Sequence, residues 1–93
     1  MATEVRASHI LVNTEQEANN LLSQINGGKK FEKLAKKHSR CPSGKNGGDL
    51  GFFTRGKMVP EFENAAFNMN VGQVSAPIKT QFGFHLIKVT DAK

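Results

Sequence analysis

Ninety-three residues, 38% of them apolar, can build one compact core but not two. The formal net charge of +5, from 13 Lys and Arg against 8 Asp and Glu, describes a basic surface open to anionic partners and does not by itself define a site. A single cysteine excludes an internal disulfide and suits a reducing cytosol; with no basic-then-apolar leader and no apolar run near the ~20 residues a bilayer requires, the expectation is a soluble, cytoplasmic protein without a secretory signal.

Val5 to Val12 is rich in β-branched and aliphatic residues and reads as a strand, with Val5, Ala7, His9 and Leu11 on one face and Arg6, Ser8, Ile10 and Val12 on the other. Thr14 then stands where an N-cap belongs, and Glu17 three residues later completes a capping box. The helix it opens carries Ala18, Leu21, Leu22 and Ile25 on one stripe and stops at Gly27-Gly28. A second helix runs from about Lys30 to His38, with Phe31, Leu34 and Ala35 inward and Lys29, Lys33, Lys36 and Lys37 gathered on the opposite side.

Ser39 to Gly48, with Pro42, Gly44, Gly47 and Gly48, reads as a loop held across the surface. Asp49 to Thr54 is a short strand, and Pro60 suits the first turn of a third helix whose face is Phe62, Ala65, Ala66 and Met69, closed by Asn68 to Gly72. Pro77 cannot donate to a ladder, so Val74 to Lys79 can only be an edge or very short strand. Phe84 to Thr90 alternates cleanly, with His85, Ile87 and Val89 together. The order β-α-α-loop-β-α-β-β mixes helices and strands and predicts an α+β domain, residues 1–93, with a small, mostly antiparallel sheet covered by helices.

Three histidines, one cysteine and the glycine-rich segment are the residues with unusual chemistry. His9 and His85 sit in strands otherwise built from apolar residues, the usual setting of a hydrogen-bonded core histidine. If the two strands pair, the rings can meet and share an N–H···N bond. Cys41 lacks the surroundings of a hydrolase nucleophile. A metal site from His9, His38, Cys41 and His85 has no recognised ligand spacing, and Gly44-Lys45-Asn46-Gly47-Gly48 lacks the P-loop order, so turn chemistry explains it better. Met58, Phe62 and Phe82 suit an apolar pocket or an ordinary core.

Read together, Ser8-His9-Ile10-Leu11-Val12, Phe31-Glu32-Lys33-Leu34-Ala35, Cys41-Pro42-Ser43-Gly44, Gly47-Gly48-Asp49-Leu50-Gly51, Met58-Val59-Pro60-Glu61-Phe62 and Thr80-Gln81-Phe82-Gly83-Phe84-His85 resemble the parvulin family of peptidyl-prolyl cis/trans isomerases over nearly the whole chain. The resemblance implies a four-stranded antiparallel sheet surrounded by helices and catalysis without a cofactor or metal. It also implies paired histidines His9 and His85 with Cys41 beside them, Thr80 hydrogen-bonding nearby, and a proline cup of Leu50, Met58, Phe62 and Phe82. Ser43 is a weaker candidate, and because some relatives carry aspartate at Cys41, that residue reads as polar support.

Parvulins selective for phosphorylated Ser/Thr-Pro carry a long basic loop after the first strand, whereas here Asn13-Thr14 leads into Glu15 and Glu17, so uncharged or apolar residues before proline are the expected substrates. The expected partners are proline-containing peptides and folding proteins, met by a monomer. A peptide-binding chaperone with little isomerase activity is the main rival. The lysine stripe Lys29, Lys33, Lys36 and Lys37 is a second candidate surface, suited to peripheral contact with anionic membrane lipid at the inner membrane surface; without interleaved aromatics it does not suit nucleic acid.

Overall fold

The computed structural model describes residues 2–93. Its elements are strand β1 (Glu4–Val12), helix α1 (Glu15–Asn26), helix α2 (Phe31–His38), strand β2 (Asp49–Thr54), helix α3 (Pro60–Phe67), strand β3 (Ile78–Thr80) and strand β4 (Gly83–Ala92). The four strands form one antiparallel sheet in the order β2-β1-β4-β3, so the fold is α+β with the first and last strands at its centre. The middles of the two central strands, Ala7 to Ile10 of β1 and His85 to Ile87 of β4, are buried on both faces, with Ser8, His9 and His85 as buried polar residues.

Strand alternation divides the core in two. Ile10, Val12 and Leu86 face Ala18 and Leu21 of α1 and Phe31, Leu34 and Ala35 of α2. On the other face Val5, Ala7, Ile87 and Val89 meet Phe53 of β2 and Phe62 and Ala66 of α3. Each helix therefore buries the stripe its periodicity marks, and the single core expected from composition is instead split by the sheet into two small clusters, one on each face.

The helix boundaries follow local chemistry. The Thr14 hydroxyl accepts from the Glu17 N–H at 3.2 Å, capping α1. Only half of the predicted capping box forms, because Glu17 Oε1 takes the Thr14 hydroxyl proton at 3.3 Å instead of the Thr14 backbone N–H. Lys30 caps α2 instead of lying within it. Pro60 opens α3, where its missing N–H costs nothing.

Ser39 to Gly48 is not the surface loop its composition suggests. Pro42–Asn46 winds into a 3₁₀ helix, and Gly44, Gly47 and Gly48 are buried, because this segment packs between α2 and β1 where any larger residue would not fit. Beyond α3, Val74 makes only an isolated bridge to Lys88 before β3 begins after Pro77. The Ser75 hydroxyl accepts from Ile87 N–H at 3.0 Å and the Ser75 N–H donates to the Ile87 carbonyl at 2.8 Å, so a side chain stands in for the ladder that the proline interrupts.

Candidate active site

The registers of β1 and β4 place His9 opposite Ile87 and His85 opposite Leu11. The two histidines are thus diagonal neighbours on one face of the sheet, and their side chains converge under α3. Their rings stack 5.1 Å apart and 17° from parallel, with Nδ1 of one 2.9 Å from Nδ1 of the other. Phe62 of α3 stands edge-on to both, 5.5 Å from His9 at 79° and 5.4 Å from His85 at 83°.

The hydrogen bonds continue away from this pair. Thr80 Oγ1 lies 2.7 Å from His85 Nε2 and accepts the Phe82 N–H at 3.1 Å. Two proton arrangements fit these distances. If the Thr80 hydroxyl donates to His85 Nε2, then His85 Nδ1–H donates to His9 Nδ1, and only His9 Nε2 is left without a partner. The reverse order leaves the Thr80 hydroxyl proton unpartnered as well, so the first arrangement wins on counting.

Both rings are held neutral. His9 is 5% exposed and His85 4%. Burial, followed by the neighbouring His85, pushes the pKa of His9 down to about 4. Burial also lowers that of His85. The unfolded chain binds these protons near pH 6.5 and the folded chain does not, so stability falls as pH drops from 6.5 towards 4. For His9 alone the loss is about 3 kcal/mol, at about 1.4 kcal/mol per pKa unit. Asp49, whose carboxyl is lowered by the Arg6 hydrogen bond, loses its contribution only below the ordinary carboxylate range and does not overlap this window. Urea unfolding at pH 7.5 and pH 4.5 should show the fall, and His9→Asn should flatten it; an equal slope in both proteins would contradict the neutral, buried assignment.

Above the histidines lies an open cavity of about 530 Å³. His9 and His85 form its floor, and Leu50, Met58, Phe62 and Phe82 stand around it, so the four residues assigned to a proline cup share one cavity. Cys41 lines it too, although among the described residues no hydrogen bond joins its sulfur to either ring. Thr80 sits behind His85 and touches the cavity only through it. Phe82, at the turn between β3 and β4, is 59% exposed and forms an apolar lip.

Leu50 reaches the cavity through an irregularity. Phe53 faces the core, so plain alternation along β2 would turn Leu50 the opposite way. Pairing passes from Arg6↔Phe52 to Ser8↔Asp49, which leaves one extra residue on β2. Gly51, at φ +71°, supplies the left-handed backbone for this bulge, and its N–H donates to Asp49 Oδ1 at 2.9 Å.

Leu11, Arg40, Pro42, Lys57 and Val59 also line the cavity and were not among the sequence candidates. Leu11 shares the His9 face by simple alternation and could have been found; the others are chain neighbours of Cys41 and Met58. Ser43 lies outside the lining, in the 3₁₀ turn, with its hydroxyl buried and unpartnered. His38 faces a different groove, between α1 and α2, so it cannot join His9, His85 and Cys41 around one ion. That same groove, about 410 Å³, is lined by Lys29, Lys33 and Lys37 but not Lys36.

Comparison with known proteins gives this arrangement a family. Residues 6–91 match the family described as "Rotamase: PPIC-type PPIASE domain". The foldase protein PrsA of Geobacillus sp. (strain WCH70) is 55% identical over 89 residues, 95% of this chain and 32% of that protein; the chain spans about a third of the length of the curated relatives it matches. Among solved structures, PrsA of Bacillus anthracis is 45% identical with a TM-score of 0.97, covering 99% of this chain and 43% of that one. The parvulin NmPin of Nitrosopumilus maritimus is 46% identical with a TM-score of 0.87 and is matched almost end to end, 97% of this chain and 98% of that one. With a shared fold, and a buried histidine pair under an apolar cup, the chain belongs to the parvulins, the PPIC-type peptidyl-prolyl cis/trans isomerase domains.

Proposed function

We propose that residues 1–93 act as one isomerase domain that speeds rotation about X-Pro bonds in peptides and folding proteins, without phosphate selectivity and as a monomer. The carrying observation is the cup, whose walls are mostly apolar and whose floor is a neutral histidine pair. Rotation crosses a barrier of roughly 18–20 kcal/mol set by amide resonance, and no bond has to break. A twisted amide has less charge separation than a planar one. Transfer of the proline ring from water into the cup therefore favours the twisted state over the ground state. An acceleration of about 10⁵ corresponds to roughly 7 kcal/mol, within reach of desolvation, one held conformer and a hydrogen bond or two.

Cis/trans exchange of a Phe-Pro peptide, followed by NMR with catalytic protein, tests this reading. Faster exchange is expected; peptide shifts on titration with exchange at the uncatalysed rate would favour the chaperone-like alternative. Met58→Ala is expected to lower kcat/KM about tenfold or more, at least as much as Cys41→Ala, because the cup and not the thiol provides the stabilisation. Phosphate indifference rests on the direct passage from β1 through Asn13-Thr14 into the acidic first turn of α1. Ser-Pro peptides should accordingly be turned over without any need for phosphorylation, within about tenfold of the phosphoSer-Pro rate.

A second reading concerns the lysines. From residue 29 to residue 45 seven Lys and Arg stand against Glu32 alone, an excess larger than the net charge of the whole chain. Lys29, Lys33, Lys36 and Lys37 are exposed, and among the described residues none of them is ion-paired. This supports peripheral, salt-reversible contact with an anionic lipid surface, with the protein cytoplasmic and at the inner membrane face. Co-sedimentation with phosphatidylglycerol vesicles at low salt, lost in high salt and absent with phosphatidylcholine, is the expected result.

A further inference from the structure

Two cations stand at the cup itself and belong to no part of the isomerisation chemistry. Arg40 and Lys57 both line the cavity, and no Asp or Glu does. Both side chains are exposed, and among the described residues neither has an ion pair or a side-chain hydrogen bond. Other cations are differently placed: Arg6 is held by Asp49, Arg55 by Glu63 and Lys93 by Glu4. Arg40 and Lys57 are thus among the cations that no carboxylate occupies, and they are the two that line the cup.

Their backbones are fixed. The Arg40 N–H donates to the Leu11 carbonyl at 2.8 Å, and Ser39 Oγ accepts from both Leu11 N–H and Cys41 N–H, which ties Arg40 to the end of β1. Lys57 follows Gly56, whose N–H donates to the carboxylate of Glu63 on α3. Two positive side chains are therefore presented from different segments over an apolar cup that takes a proline ring. A peptide seated there carries its neighbouring side chains past the rim.

We infer that Arg40 and Lys57 select substrates with a carboxylate side chain, Asp or Glu, adjacent to the proline. This rests on the isomerase reading and adds a charge preference to the uncharged or apolar neighbours expected from the acidic entrance of α1. An uncharged neighbour leaves the two cations in water at no cost, so such substrates remain accepted. The preference is electrostatic and lies in binding, so it acts on KM more than on kcat. One or two partly screened ion pairs supply about 3- to 10-fold.

Matched peptides carrying Glu or Gln, placed either before or after the proline, give the test as the Glu/Gln ratio of kcat/KM. The ratio should reach about 3 to 10 at one of the two positions and fall towards one in 0.5 M salt, as screening predicts. It should also fall towards one in the Arg40→Gln/Lys57→Gln protein, each protein being its own reference. Turnover of the Gln peptides with a ratio near one at both positions would overturn the inference and leave the isomerase reading intact. So would a wild-type ratio kept by the double variant. No acceleration of any peptide would remove the isomerase reading and this inference together.

Discussion

Replacing Gly48 by alanine is expected to destabilise the protein by more than about 3 kcal/mol, a larger effect than its position in a glycine-rich turn suggests. Gly48 has φ +85°, which alone costs an L residue about 1–2 kcal/mol. A Cβ there would also lie 2.3 Å from the carbonyl oxygen of His9 and 3.1 Å from its backbone nitrogen. His9 N–H already donates to the Gly48 carbonyl at 2.9 Å, so the turn is clasped against β1 and cannot retreat without breaking that bond. Because the clash falls at His9, the histidine pair should move with it. Gly56→Ala is the control, since Gly56 has φ +89° but nothing within 4 Å of an added Cβ. Urea unfolding of the two variants should separate the cost of the dihedral from that of the close approach, and equal losses would refute the close approach as the cause.

Phe62→Ala carries the second large expectation: a stability loss of about 3–5 kcal/mol, and a fall in kcat/KM of about 100-fold measured where the variant remains folded. Phe62 is 2% exposed, touches both histidine rings edge-on and lies 6.0 Å from Phe53. Its removal leaves a cavity in the α3 core and opens the histidine pair to water. Both effects have one cause, and a third observable separates them from simple unfolding. Once water reaches the pair, the depressed pKa of His9 should rise from about 4 towards 6.5, visible as a shifted NMR titration of the ring. Phe62→Leu keeps most of the volume and should lose much less stability. A folded Phe62→Ala protein with wild-type turnover would show that the cup's apolar wall is not what favours the twisted amide.

How far the sequence carries depends on the range of the interaction. Helix α3 begins at Pro60, and α1 has its Thr14 cap, because those signals act within one turn of chain. The two-face division of β1, with His9 and Leu11 on the Val5 side, follows from the period of two and is kept in the two cores. Family resemblance added the list of cup residues, and the structure gathers Leu50, Met58, Phe62 and Phe82 around one cavity.

What remained hidden depends on contacts distant along the chain. Composition made Ser39 to Gly48 a surface loop, yet burial between α2 and β1 turns five of its residues into a 3₁₀ helix. Alternation alone would have pointed Leu50 away from the cup; the bulge at Gly51, created by pairing with β1, reverses it. Arg40 and Lys57 looked like two more solvated cations until the fold set one beside the end of β1 and the other beside α3, over the same cavity. By itself the sequence determined the helices, the strand faces and the family, because these follow from periodicity, caps and ordered motifs. Only the tertiary structure decided register, the direction of Leu50, the neutrality of the histidine pair and the charge at the cup's rim, because each depends on which distant segment shields or faces the group from water.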